Sequence, residues 1–253
     1  MHRFFVPAEW LKGNRAEIRG PQAHQIARVL RMRPGDGLVL LDNSGWEIEV
    51  QLTSVERELV AGQVLHRRLA GGEPRTKISL YQGVLRSRRF ELVLQKCTEL
   101  GVVEFVPTIT DRCVVSDLDA VEKKHHRWEW IVQEAAEQCQ RGRKPTLRPA
   151  FLFPRACEDA MHSGGLSIIF WEGEDEAGIG ALLRDALGEP GETRPPFSIN
   201  LFVGPEGGFT AEEITIARRY SLVPASLGAR ILRAETASIA ATAAIFYALG
   251  DLG

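Results

Sequence analysis

The sequence predicts an α/β protein in two parts, a small β-barrel followed by a parallel sheet with helices on both faces. Three observations carry that prediction. The segment Gly71-Gly72-Glu73-Pro74-Arg75 reads as a linker, and the hydrophobic pattern changes across it. Short strands dominate before it, whereas strands and helices alternate after it. Two glycine-bearing strand-to-helix turns, one after Val203 and one after Leu227, stand where ligands bind in such sheets.

Residues 1–72 form the first part. Leu38 to Leu41 is an apolar strand, Asn43-Ser44-Gly45 is turn chemistry, and Trp46, Ile48, Val50 and Leu52 alternate with polar neighbours. Leu59 to Leu65 adds a strand, and a helix around Gln22 to Met32 carries Ile26, Val29 and Leu30 on one face. Such a barrel suits RNA binding, and equally dimerisation or docking.

Residues 73–253 form the second part. Ile78 to Val84 and Val102 to Ile109 are strands, and the helix between them carries Phe90, Val93, Leu94, Cys97 and Leu100, with Gly101 as its C-cap. The longest helix runs from Asp119 to Arg141 with Trp128, Ile131, Ala135 and Cys139 inward and Trp130 off the stripe. Then come a strand from Leu166 to Trp171, a helix from Ile179 to Leu187 and a strand from Ile199 to Val203. The remaining elements are a helix from Thr210 to Tyr220, a strand from Val223 to Leu227 and a helix from Glu235 to Leu249. Gly188 to Pro196 is a Gly/Pro-rich loop expected to be mobile.

The first glycine turn is Gly204-Pro205-Glu206-Gly207-Gly208-Phe209-Thr210, with a capping box formed by Thr210 and Glu213. Its spacing matches neither a dinucleotide fingerprint nor a phosphate loop. The carboxylate of Glu206 would repel phosphate and suits ribose hydroxyls, an amine or a cation. A plain turn with glycines for geometry is the alternative. In the second turn, Leu227 to Thr236, the backbone of Ile231 and Leu232 suits an adenine edge. Arg230 and Arg233 face an acid or a phosphate there, or else pair with Glu206 and Glu235 and tie the loops together.

Charge is uneven along the chain. Residues 1–155 hold 25 basic and 19 acidic side chains, and residues 156–253 hold 6 and 14. Arginine makes up 25 of the 31 basic residues, and it forks onto phosphate and stacks on bases, so a polyanion is expected on the front part. Solvated surface is the plain alternative. No apolar run approaches a bilayer span and the N-terminus lacks a signal-peptide core, so a soluble cytoplasmic protein is expected. Cys97, Cys113, Cys139 and Cys157 lack metal-site spacing, and the adjacent His125 and His126 point apart, so neither a metal nor a disulfide is expected.

The chain resembles the RsmE-type methyltransferases of the SPOUT class. The resemblance rests on Gly204-Pro205-Glu206-Gly207-Gly208-Phe209 and on Leu227-Gly228-x-Arg230-Ile231-Leu232-Arg233-x-Glu235-Thr236. It extends to Met1-x-Arg3-Phe4-Phe5-Val6, the helix from His24 to Met32, Gln95 to Val102, Asp111-Arg112, Glu134 to Cys139 and the ending Gly250-Asp251-Leu252-Gly253. One departure is Gln140, where the family pattern has glycine before Arg141.

What the resemblance implies is a PUA-like barrel over 1–72, then a SPOUT domain over 73–253 with a deep trefoil knot. It implies a homodimer that uses S-adenosylmethionine to methylate a uridine N3 in 16S rRNA of the small ribosomal subunit. The cofactor residues it implies are Trp171, Glu172, Phe202, Val203, Gly204, Gly207, Gly208, Leu227, Gly228, Ile231, Leu232 and Thr236. Arg230, Arg233 and Glu206 are the catalytic candidates, while Arg3, His24, Arg28, Arg31, Arg86, Arg112 and Arg141 are the RNA candidates. Small residues Ala237, Ser238, Ala240, Ala241, Ala243 and Ala244 on the last helix permit close packing, across a dimer or within the chain. Two other functions remain open at this point: a ribosome-binding module without catalysis, and a knotted methyltransferase acting at another RNA position.

Overall fold

The computed structural model describes residues 1–173, 178–187 and 198–252, so the expected loop at Gly188 to Pro196 lies outside the described residues. Two compact units result, one of Met1–Glu73 with Ala136–Lys144, the other of Pro74–Ala135 with Pro145 onward. Residues 136–144, which the sequence pattern places in the second part, therefore pack with the first unit.

The first unit contains β1 (His2–Phe5), β2 (Leu11–Lys12), β3 (Arg15–Arg19), α1 (Gly20–His24), β4 (Gly37–Leu41), β5 (Trp46–Val55) and β6 (Leu59–Leu69). The six strands make one sheet in the order β1-β4-β5-β6-β3-β2, with β1 parallel to β4 and every other pair antiparallel. Phe4, Ile18, Leu38, Leu40, Ile48, Val50 and Val60 form its core, as the alternation along β5 predicts. The helix after β3 departs from expectation. α1 passes into a π-turn over Gln25–Val29, where the Leu30 amide bonds the Gln25 carbonyl at 2.9 Å. The wider turn rotates the register, so Val29 is 67% exposed rather than inward. The segment ends with Arg31 in the left-handed region at φ 53°.

The second unit begins with β7 (Lys77–Gly83), α2 (Ser87–Leu100), β8 (Glu104–Ile109) and α3 (Leu118–Gln138), the last three residues of α3 belonging to the first unit. It continues with β9 (Thr146–Leu147), β10 (Phe151–Leu152), α4 (Phe153–Ser163), β11 (Leu166–Phe170) and α5 (Ile179–Leu187). β12 (Ser198–Val203), α6 (Ala211–Arg219), β13 (Val223–Ala225) and α7 (Ala234–Ala248) complete it. All pairings are parallel, in the order β10-β8-β7-β12-β11-β13 with β9 beside β8. Neighbouring residues on each strand feed opposite faces. Leu80, Leu201 and Ile168 meet α2, α3, α5 and α7, while Tyr81, Phe202 and Ile169 meet α4 and α6. α4 is absent from the sequence-based expectation, although Phe153, Ala156, Cys157 and Ala160 are its buried residues at helical spacing.

The end of α3 accounts for the Gln140 departure. The Arg141 amide bonds the Ala136 carbonyl at 2.9 Å, the six-to-one bond of a Schellman ending, and Gln140 sits at the C′ position with φ 66°. Glycine adopts that conformation without strain, so the glycine expected at this position would serve the backbone. The helix stops at Gln138, short of the expected Arg141.

Candidate functional site

Strands β11, β12 and β13 lie side by side, so their carboxyl ends deliver three loops to one place. These loops enclose a cavity of about 1060 Å³. Phe170 and Trp171 follow β11, the glycine turn 204–209 follows β12, and residues 226–233 follow β13 and lead into α7. Phe170, Trp171, Phe209, Leu227 and Leu232 give apolar wall; Arg89, Arg112, Arg230 and Arg233 face Glu172 and Glu206 with a positive excess. The amides of Ile231 and Leu232 make no backbone hydrogen bond among the described residues, and Ile231 is 82% exposed.

The glycine turn is held from several sides. Buried Gln82 donates to the carbonyls of Val203 at 3.4 Å and Gly204 at 3.3 Å, and the Ser238 hydroxyl of α7 donates to the Gln82 Oε1. Arg112 Nη1 donates to the Gly207 carbonyl at 2.8 Å. Glu206 Oε1 accepts from the Arg86 amide at 3.2 Å and from Arg89 Nη1 at 3.3 Å, placing its charge at the N-terminus of α2. The Thr210–Glu213 capping box is present, and the second Glu213 oxygen accepts from the Asp111 amide at 3.0 Å. One carboxylate thus closes a helix and anchors the Asp111-Arg112 loop.

Glycine is required by contact at two points. A Cβ on Gly207 would stand 2.9 Å from the Cβ of Arg112, and one on Gly83 would stand 2.4 Å from the nitrogen of Pro205. These close approaches pack the turn against its supports rather than leaving it an open hairpin.

Among the expected cofactor residues, Trp171, Glu172, Val203, Gly204, Gly207, Gly208, Leu227, Gly228, Ile231 and Leu232 all line the cavity. Phe202 and Thr236 do not. Phe202 is buried and stacks on Tyr81 with centroids 4.3 Å apart, so it is a core residue. Thr236 lies on α7 with its side chain in solvent. Arg230, Arg233 and Glu206 line the cavity too, but Glu206 is committed to α2. The alternative pairing of Arg230 and Arg233 with Glu206 and Glu235 is absent among the described residues, since Arg89 bridges both carboxylates.

The RNA candidates divide by environment. His24, Arg28, Arg31, Arg86 and Arg112 are exposed. Arg3 donates to Glu47 at 2.6 Å, and Arg68 donates to the other Glu47 oxygen at 2.9 Å. Burial raises the Glu47 carboxyl, but hydrogen bonds and charge from Arg3 and Arg68 outweigh it and hold the group below its ordinary range. Arg141 is a correction: it is 3% exposed and pairs with Glu73 at 2.9 Å, so it cannot meet a phosphate. Sequence reasoning gave no individual site role to Arg89, Gln82, Gly83 or Ser238, which nothing in the pattern of residues separates from ordinary helix and strand. No helix is long and apolar enough to cross a membrane, and no cluster of three or more His, Cys, Asp or Glu able to hold a metal occurs among the described residues.

Comparison with known proteins bears on this cavity. Residues 72–246 match a family model described as an RNA methyltransferase domain, and residues 18–65 match one described as an RNA methyltransferase PUA domain. The chain is 30% identical over 251 residues to ribosomal RNA small subunit methyltransferase E of Bacillus subtilis, covering 98% of this chain and 96% of that protein. It is 32% identical over 244 residues to the Synechocystis protein of the same name, covering 96% and 77%. The crystal structure of the Neisseria gonorrhoeae protein of that name, bound to S-adenosylmethionine, superposes with a TM-score of 0.82 at 30% identity, covering 98% and 97%. A Legionella pneumophila protein solved with the same cofactor bound superposes with a TM-score of 0.84 at 32% identity, covering 97% of each chain.

Proposed function

The chain belongs to the ribosomal RNA small subunit methyltransferase E family, and on that premise we propose that it methylates small-subunit ribosomal RNA with S-adenosylmethionine. The finer assignment, to a uridine N3, follows from the motif resemblance. The observation that carries the reading is the cavity at the ends of β11, β12 and β13, walled by apolar side chains and edged by the amides of Ile231 and Leu232, which make no backbone hydrogen bond among the described residues.

The residues present fit the cofactor. Phe170, Leu227 and Leu232 offer an apolar slot with backbone donors for an adenine edge, and Glu172 offers acceptors for ribose hydroxyls. Gly204, Gly207 and Gly208 keep side chains out of the space where a ligand meets the backbone. Arg230 and Arg233 stand at the cavity without an ion-pair partner among the described residues and suit the cofactor carboxylate. When bound, the cofactor supplies a methyl group on a sulfonium, an electrophile that needs no acid catalysis.

The residues of the chain then have three tasks. The apolar wall excludes water, the fixed turn orients the reacting centres, and cationic groups favour loss of the uracil N3 proton. We assign Glu206 to holding α2 and Arg89 rather than to proton removal, because its Oε1 already accepts two hydrogen bonds. Residues 1–72 are assigned to RNA binding, with His24, Arg28 and Arg31 around the π-turn as phosphate or base contacts, while Arg3 is held by Glu47 instead; in the second unit the exposed Arg86 and Arg112 are assigned the same RNA-contact role. A trefoil knot, a cytoplasmic location and a homodimer complete the proposal. The outward face of α7, with Thr236, Ala244 and Tyr247 exposed, supports the dimer.

The test is transfer of labelled methyl to small subunits and to bare rRNA from a strain lacking the enzyme, with nucleosides identified by mass. Label in 3-methyluridine is expected. Label in another nucleoside overturns the N3 assignment, and no transfer from folded, cofactor-binding protein overturns the substrate assignment.

A further inference from the structure

We propose that Arg89 is a catalytic residue that stabilises negative charge on a carbonyl oxygen of the target uracil, with Glu235 as its positioning residue. The proposal rests on the uridine-N3 reading. Its structural basis is a guanidinium that lines the cavity from the first turn of α2, between an acid of the glycine turn and an acid in the first turn of α7. Nη1 is 3.3 Å from Glu206 Oε1, and Nε is 3.7 Å from Glu235 Oε1. Both distances exceed the roughly 2.7–2.9 Å of a closed charge-assisted hydrogen bond. The guanidinium is therefore centred by two carboxylates without being consumed by either, and its Nη2 has no partner among the described residues.

Glu235 adds an independent observation. It is only 9% exposed, and its Oε2 is buried without a hydrogen-bond partner among the described residues. A buried carboxylate oxygen left unbonded is costly, and its nearest cationic neighbour is Arg89. Glu235 does not line the cavity whereas Arg89 does, so the arginine stands between the acid and the ligand space. An acid at that depth holds a cation in place; it does not reach a substrate.

The chemistry needs such a cation. The N3–H bond breaks with its electron pair left on the ring, where it spreads to O2 and O4, and the proton passes to solvent. The ring nitrogen then bonds the methyl carbon, while the pair from the broken carbon–sulfur bond stays on sulfur. A guanidinium N–H directed at a carbonyl oxygen favours the ionised ring before transfer. Arg230 and Arg233 are exposed on an irregular loop, whereas Arg89 is built on a helix and held by two acids, the more rigid arrangement.

The experiment compares wild type with Arg89→Ala, Arg89→Lys and Glu235→Gln in single-turnover methyl transfer to small subunits across the pH range. S-adenosylhomocysteine and RNA affinities are measured on the same proteins. Arg89→Ala is expected to slow transfer by about 10²–10³-fold while changing cofactor affinity by less than about threefold. Raising the pH should shrink the deficit, and rRNA transcribed with 5-fluorouridine, whose N3 is more acidic, should shrink it further. Arg89→Lys should recover part of the rate, and Glu235→Gln should lose about tenfold with the same rescue. A deficit that is equal at every pH and with both RNAs overturns the proposal, as does a loss confined to cofactor or RNA affinity. Should Arg89→Ala fail to fold, the rescue pattern of Arg89→Lys decides. A wild-type protein that forms no 3-methyluridine overturns the functional reading, whereas active wild type with unaffected variants overturns only this inference.

Discussion

Replacing Gly83 by alanine tests whether the glycine turn is a packed part or a free loop. The added Cβ would stand 2.4 Å from the nitrogen of Pro205 and 2.7 Å from both the Gly204 carbonyl carbon and the Pro205 Cδ, where ordinary contact begins near 3.4 Å. Relief therefore requires the turn to retreat by about 1 Å, and two of the three obstructing atoms are backbone. A retreat of that size also pulls the Val203 and Gly204 carbonyls from Gln82, whose bonds are already 3.4 and 3.3 Å long. We expect a loss of about 3 kcal/mol, the upper end for overpacking, and a melting midpoint lower by roughly 6–12 °C. Cofactor affinity should fall by at least about tenfold, or about 1.4 kcal/mol, because the displaced residues line the cavity. Scanning calorimetry and isothermal titration measure the two effects. Gly71→Ala is the control: nothing lies within 4 Å of the Cβ it would gain, and it should stay within about 0.5 kcal/mol of wild type. A Gly83→Ala protein with unchanged midpoint and affinity would show that the turn moves freely, and the account of the site would fail.

Four further outcomes are expected. Burial pushes the Cys97 and Cys157 thiols up to about 12, so at mildly alkaline pH a thiol reagent should modify only Cys113 and Cys139 in the folded protein, and all four after denaturation. Glu47 has a folded-state pKa depressed below 4.5, so its contribution is full above that value and is lost as pH falls through the folded pKa. Acid titration of stability should show that loss in wild type and not in Glu47→Gln, which is less stable at neutral pH. Gln140→Gly should raise stability by about 1 kcal/mol by relieving the left-handed φ of 66°, read as a higher midpoint in chemical denaturation. Arg28→Ala with Arg31→Ala should lower the slope of log affinity against log salt for RNA by about 1.5, whereas Arg141→Lys should leave the slope alone.

Much of the fold is legible because its signals are local. α5 keeps the expected bounds Ile179–Leu187, Gly101 closes α2 at φ 118°, and Thr210 with Glu213 caps α6. Each rests on residues adjacent in sequence. The departures come from tertiary context. The π-turn after α1 shifts Val29 outward without any residue type that announces it, and β1 is recognised only beside β4. The site divides in the same way. Glycine turns reveal the cavity lining because close backbone approach restricts residue choice, as at Gly207. Arg141 misleads because a buried guanidinium and a surface one share the same letter, and its partner Glu73 lies 68 positions away. Arg89 is hidden for the converse reason, as one of three arginines in Arg86-Ser87-Arg88-Arg89, selected only by the acids that converge on it.

The supports of the glycine turn explain why acids are abundant around a site that favours anions. Glu206 caps α2, Glu213 caps α6 and holds the Asp111 amide, and Glu235 stands in the first turn of α7. Each carboxylate sits at a helix N-terminus, where the helix dipole favours negative charge. Glu213 bonds the Thr210 amide in the α6 capping box and Glu206 bonds the Arg86 amide before α2, while Glu235 puts negative charge in the first turn of α7 without bonding an amide, so a phosphate would meet a carboxylate at each of these ends. The arginines at the cavity keep the positive potential, but on side chains with direction and reach rather than on backbone. Such a division suits a ligand with a carboxylate and disfavours the clustered charge of a nucleoside triphosphate beside the helix ends. A competition titration should accordingly find S-adenosylhomocysteine displacing labelled cofactor while ATP does not, and equal displacement by both would show that the helix N-termini remain open.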